Sequence, residues 1–146
     1  MNDDEPRNPA SDTLRTNWAL MSDRDFLDRS PDRLDTGFVH EDRRNHVAPV
    51  PINADHVVES VHVYDEMSGG HPVFSVEEVL AVRGDRLVLA RTRIEFPERG
   101  HAIVALQVFQ YDATFQRCQR SIMFDPDALP AAEQALDELA EGLLEP

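Results

Sequence analysis

An α+β domain is what the hydrophobic pattern of this chain calls for. Apolar residues recur at helical spacing near the N-terminus, alternate as strands from Val73 to Phe124, and return to helical spacing after that. With 146 residues, 41% of them hydrophobic, the chain can build one core but not two. The central run is mainly antiparallel, and a sheet of that size needs helices to cover it.

Residues 1–11 read as a disordered acidic tail, charged and interrupted by Pro6 and Pro9. Residues 12–146 then form the single domain. Asp12 caps a helix that brings Leu14, Trp18 and Met21 onto one face. Phe26 and Leu27 belong to a second short helix broken near Pro31, with Leu34 as a further contact. GFVHED, residues 37–42, alternates as a short strand, with Phe38, His40 and Asp42 on one side and Val39 and Glu41 on the other. NHVAPVPI is a proline-interrupted loop or edge strand. Asn53 caps a helix with Val57, Val58, Val61, Tyr64 and Met67 on one stripe, and Gly69 and Gly70 end it.

Val73 to Arg83 and Arg86 to Phe96 are two strand patterns that meet at Arg83-Gly84-Asp85. That tripeptide invites a reading as an adhesion ligand, but a tight corner accounts for it fully. Glycine at the first corner position suits a two-residue type II' turn, whose twist matches the flanking strands. The turn sets the register on one face: Val82 opposite Leu87, Leu80 opposite Leu89, Glu78 opposite Arg91, and Val76 opposite Arg93. On the other face Ala81 meets Val88, Val79 meets Ala90, Glu77 meets Thr92, Ser75 meets Ile94, and Val73 meets Phe96. Glu78 and Arg91 then form a cross-strand ion pair, worth about 0.2–1 kcal/mol and structural in role.

The strand HAIVALQVFQYD is apolar on both sides, so both sides must be covered. A homodimer through the outer sheet face supplies that cover; the competing cover is the C-terminal helix folded back. QRCQRSIMF closes the sheet. In the loop before it, DATF, Phe115 stands where a left-handed glycine is usual. Asp125 before Pro126 is a capping signal for a final amphipathic helix, with Leu129, Ala132, Leu136, Leu139 and Leu143 in line. Pro130 splits off its first turn.

Composition narrows the chemistry. The net charge is -14, from 28 acidic and 14 basic residues, and every basic residue is Arg. The absence of Lys excludes Schiff-base and pyridoxal chemistry. The negative charge repels phosphate backbones, so nucleic acid is not an expected partner. Cys118 is the single cysteine, which excludes an internal disulfide and a cysteine-rich zinc site. MNDDEPRNPASD is the opposite of a signal peptide, and no apolar run approaches the roughly 20 residues that cross a bilayer. The expectation is a cytoplasmic protein with no membrane contact, metal or cofactor.

The order of these elements resembles the SnoaL-like branch of the nuclear transport factor 2-like superfamily. The most specific pieces are SDRDF with GFVHED, VLAVRGDRLVLARTRI, and IMFDPDAL; the last two are similar to stretches of uncharacterised actinobacterial members. The resemblance runs from Asp12 to about Gly142. It implies a cone, a curved sheet wrapped around N-terminal helices with a pocket between them. Relatives include polyketide cyclases, ketosteroid isomerase, dehydratases, epoxide hydrolases and many non-catalytic modules, so the fold does not choose the function.

Asp42 ends the strand where isomerase-like relatives keep their general base, and a carboxylate shielded at a pocket mouth moves towards useful acid–base range. The bland alternative is an ion pair with Arg43 or Arg44. The isomerase's oxyanion tyrosine should fall near Asn17 or Trp18, and neither is a tyrosine. His40 shares the strand face of Asp42 and is its candidate partner, or else a satisfied, partly exposed histidine. Glu77 sits on an otherwise small, apolar hairpin face, so it lines the pocket unless a bulge rotates it into solvent. Trp18, Phe38, Tyr64, Val79, Ala90 and Ile94 form the apolar walls. Cys118, inside a strand, reads as a buried thiol rather than a nucleophile. The histidines have no metal-ligand spacing, and no phosphate loop or Ser-His-Asp motif is present. Together these residues point to a small, mostly apolar ligand, with isomerase-, cyclase- or dehydratase-type acid–base chemistry at Asp42, His40 and Glu77. The alternative is a non-catalytic dimerising module whose cavity is filled by its own side chains.

Overall fold

Asn8 starts the first helix, ahead of the expected Asp12. The computed structural model of the chain describes residues 5–22, 33–45, 52–57, 59, 63 and 72–144. Helix α1 spans Pro9–Met21, so residues 9–11 belong to it rather than to a tail. Proline at the first helical position needs no N–H partner, and a capping box satisfies the free amides. Asn8 Oδ1 accepts from the Ser11 amide at 2.8 Å while Ser11 Oγ accepts from the Asn8 amide at 2.9 Å.

Five strands follow: β1 (Leu34–Asp42), β2 (Val73–Arg83), β3 (Leu87–Phe96), β4 (His101–Tyr111) and β5 (Cys118–Phe124). Their spatial order is β1-β5-β4-β3-β2. The four-strand meander is antiparallel, as expected, and β1 adds to its β5 edge in parallel. β1 begins three residues earlier than the alternation in GFVHED marks it. Phe115 takes the left-handed conformation, with φ of 60°, in the corner between β4 and β5.

The hairpin register departs from the expected one. Glu78 opposite Arg91 and Val79 opposite Ala90 are as expected, but the pairing slips between Val76 and Glu78 and again between Val79 and Ala81. At the turn Arg83 pairs with Leu87, leaving three corner residues, Gly84, Asp85 and Arg86, instead of two. Gly84 has φ of 53°, the conformation that glycine adopts without a steric cost. One extra residue at each slip is a β-bulge, a common device on an edge strand, and β2 is an edge here. Gly84 and Asp85 are exposed, but the backbone of this corner is tied to the start of α1: Asn8 Nδ2 donates to the carbonyls of Gly84 and Leu87, both at 2.9 Å, and the Ala10 amide to that of Asp85.

The sheet is curved and covered on both faces. On the inner face Ala10, Leu14 and Trp18 of α1 pack with Phe38, Phe74, Val79, Val88, Ala90, Phe109 and Tyr111. On the outer face the C-terminal helix α2 (Leu129–Leu144) packs Ala132, Ala135 and Leu136 against Leu87, Leu89, Leu106, Val108, Ile122 and Phe124. The second apolar face of β4, read from the sequence as a dimer surface, is thus covered in large part from within the chain. Pro130 lies in the first turn of α2, after a separate turn in which the Ala128 amide reaches the Asp125 carbonyl. The Asp125 carboxylate accepts from the Asn45 amide at 2.8 Å, not from the helix it was expected to cap. The helices expected around Phe26 and from Val58 to Met67, with Tyr64, lie outside the described residues apart from Glu59 and Val63. Asn53 does cap the residues after it, its side chain accepting from the His56 amide at 3.1 Å. Among the described residues no helix is long and apolar enough to cross a membrane.

Candidate functional site

Alternation along β1 places Phe38, His40 and Asp42 on the inner face, and pairing with β5 sets His40 beside Ser121 and Asp42 beside Met123. β5 then pairs with β4, so Met123 lies opposite Gln107 and Ser121 opposite Phe109. β4 pairs with β3, setting Gln107 beside Ala90 and Ala105 beside Thr92. Two adjacent rows of the sheet therefore carry His40, Ser121, Asp42 and Gln107 around Met123.

Of the expected apolar walls, Trp18, Phe38, Val79 and Ala90 are buried in one cluster and Ile94 packs partly buried against it. Trp18 stands edge-on to Phe74 and Phe109, with ring centroids 5.7 and 6.0 Å away. Tyr64 lies outside the described residues.

The polar groups divide differently from the sequence reading. His40 Nδ1 lies 2.5 Å from Ser121 Oγ. Burial lowers the His40 pKa and the Arg44 charge adds to this, while Asp42 and Glu41 oppose; the net shift is downward. The imidazole is therefore neutral at neutral pH.

Asp42 is half-buried and paired. Arg44 Nε sits 2.9 Å from Oδ1 and Nη2 2.6 Å from Oδ2, and the Arg44 amide also donates to Oδ1. Burial pushes the Asp42 carboxyl up, but the hydrogen bonds and charge of Arg44 outweigh it, with His40 adding, so its pKa is lowered. The shift runs opposite to the raised acid expected from the sequence, because the guanidinium and amide of Arg44 both stabilise the charged form.

Glu77 does not join the site. It is the extra residue in the first bulge of β2, exposed, with Oε1 3.5 Å from Arg93 Nη1. The bulge breaks the alternation that assigned it to the apolar face.

Three residues escaped the sequence reading. Ser121 and Gln107 are each only 4% exposed and Thr92 only 2%. Thr92 Oγ1 donates to Gln107 Oε1 at 2.6 Å. Their signal was present, a Gln and a Ser on strand faces otherwise apolar, but only the parallel β1–β5 pairing brings Ser121 to His40. Cys118 is buried and burial pushes its thiol up to about 12, which suits packing and not nucleophilic attack. Tyr111 is buried too; burial raises its pKa well above 10, and its hydroxyl meets Asn17. Among the described residues no group of three His, Cys, Asp or Glu could hold a metal ion.

No protein-family model matches the sequence, and no curated protein matches it. Solved structures do match its fold. PrhC from Penicillium brasilianum superposes with a TM-score of 0.66 at 12% identity, covering 92% of this chain and 93% of that one. A SnoaL-like family protein from Agrobacterium tumefaciens gives 0.57 at 10% identity, covering 79% and 96%. Rv0760c from Mycobacterium tuberculosis, in complex with estradiol-17β-hemisuccinate, gives 0.58 at 12% identity, covering 80% and 93%. The chain has the SnoaL-like, nuclear transport factor 2-like fold.

In this SnoaL-like fold Asp42 stands at the end of β1, where the resemblance placed a base, and there Arg44 holds it. The buried polar groups of the inner face form two separate pairs instead, His40 with Ser121 and Thr92 with Gln107.

Proposed function

We propose that the inner face of the sheet binds a small, mostly apolar molecule without a cofactor, in a protein of the cytoplasm. The observation that carries this reading is the company of the apolar walls. Trp18, Phe38, Val79, Ala90 and Ile94 gather in one cluster, yet two hydrogen-bonded polar pairs, His40 with Ser121 and Thr92 with Gln107, share their face. A core that only has to pack does better with apolar residues, whereas a pocket uses a few placed polar groups among apolar walls. The steroid ester bound by Rv0760c, a protein of the same fold, supports a ligand of this class. Any acid–base chemistry of isomerase, cyclase or dehydratase type would then turn on His40, since Asp42 is ion-paired and Glu77 is exposed. A non-catalytic module remains the second reading, favoured by that same pairing of Asp42 with Arg44.

Thermal-shift screening against a panel of hydrophobic metabolites tests the reading, because a ligand that binds only the native state raises the melting temperature. Trp18, the single tryptophan, reports occupancy by its fluorescence. A ligand that shifts both supports the pocket. A panel that shifts neither favours the filled-cavity module, whose homodimer would then be sought by light scattering.

A further inference from the structure

Arg120 lies on the outer face of the sheet. Alternation along β5 sets it there with Ile122 and Phe124, and the parallel pairing brings Glu41 of β1 beside Ile122. Arg120 Nη2 donates to Glu41 Oε1 at 2.5 Å, while Arg43 Nε and Nη2 donate to Oε2 at 3.0 and 2.7 Å. Two guanidiniums on one carboxylate leave a local excess of positive charge, in a chain whose net charge is -14. Glu41 does not satisfy Arg120 fully. Arg120 Nε is the only buried side-chain nitrogen or oxygen among the described residues that has no hydrogen-bond partner. A buried donor is costly to leave unpaired, and an anionic acceptor suits it best, because charge-assisted hydrogen bonds are the strong ones.

Both arginines stand beside α2 at the wall of a groove. A cavity of about 410 Å³ lies there, lined by Arg43, Arg120 and Ile122 from the sheet side and by Glu138, Leu139 and Leu143 from the helix. Small-molecule sites span about 300–1,000 Å³ and set a few polar groups among apolar walls, so volume and lining both suit one. Leu143 is 36% exposed, a large apolar side chain at the open rim of this groove. Glu138 is the lining acid that opposes an anion. It is exposed, so water and salt screen it, and Gln134 Nε2 donates to it at 3.2 Å. Trp18 belongs to the cluster on the other side of the sheet.

We propose that this groove is a second ligand site, separate from the inner face, for a small monocarboxylate with an apolar chain. Arg120 and Arg43 bind the carboxylate, and Glu41 holds the two guanidiniums side by side. The chain of the ligand lies along Ile122, Leu139 and Leu143.

Octanoate, 1-octanol and acetate, titrated into the full chain, test this. Octanoate should shift the NMR amide signal of Gly142, which also lines the cavity, while Trp18 fluorescence reports separately on the inner face. Octanoate should bind about tenfold more tightly than 1-octanol, as expected of a hydrogen-bonded charge, and more tightly than acetate. Arg120→Met should remove the preference over the alcohol. Arg43→Met should weaken octanoate too and carries the same test if the first variant does not fold. Leu143→Ser should weaken octanoate, and Glu138→Gln should tighten it. A response at Trp18 without one at Gly142 overturns the proposal, as does an absence of binding. A preference over 1-octanol that survives both arginine variants overturns it as well. Acetate binding as tightly as octanoate would reduce the site to a surface anion contact and overturn the apolar half.

Discussion

Arg44 grips Asp42 with two guanidinium nitrogens, at 2.9 and 2.6 Å, from only two residues along the chain. A carboxylate held this way is an ionised structural group. Arg44→Met should raise the Asp42 pKa, read as a higher titration midpoint of its carboxyl carbon by NMR. The native pKa is lowered below the unfolded value, so the stability it contributes is present above that unfolded value, about 3.9, and is lost as pH falls through the folded one. The variant should lose that contribution, about 1 kcal/mol for a pair that water still reaches, and its acid unfolding should begin at higher pH. An unchanged midpoint would show that the pair does not persist in solution.

His40 supplies a second acid-sensitive step in a different window. Its folded pKa is lowered, mainly by burial, so the unfolded chain binds the extra proton first. Stability should therefore be full above the unfolded histidine value of about 6.5 and decline as pH falls from there towards the folded pKa. Asp42, Glu41 and Arg44 all act on the ring, so the clean comparison is His40→Gln, which removes the decline between neutral pH and the carboxylate range. Urea midpoints at a series of pH values check it; an identical slope in the variant would assign the decline to another group.

Glu77→Gln tests the bulge. Among the described residues its exposed side chain meets only Arg93, at 3.5 Å, so the change should alter stability by less than about 0.5 kcal/mol and leave any ligand affinity unchanged. A clear loss of binding would return Glu77 to the pocket.

These outcomes mark where the sequence could be read. The strands and the C-terminal helix were legible because alternation and helical spacing are local signals. Phe38, His40 and Asp42 fell on one face for the same reason. Glu77 was misplaced because alternation assumes an unbroken pleat, and a single inserted residue in β2 turns it over. Ser121 could not be assigned to His40, since they are joined by a parallel pairing between segments 81 residues apart. Asn8 went unseen as a cap because its second role, holding the Gly84 and Leu87 carbonyls, depends on the hairpin corner arriving there.

The last prediction concerns the cover of the outer face. Leu136 is fully buried between α2 and the strands that carry Leu89, Leu106 and Val108. Leu136→Ala leaves a cavity and should cost about 2–5 kcal/mol, measured by urea unfolding. Ending the chain after Asp125 removes the whole cover and exposes the apolar residues beneath it, so that shortened chain should unfold or associate. If α2 is the cover, the intact protein has a melting temperature independent of its concentration. A melting temperature that climbs with concentration would instead mean that a second copy adds to the cover, because association stabilises by mass action. Light scattering on the same samples then separates the two: α2 alone leaves a particle of 16.5 kDa, and a shared outer face leaves twice that.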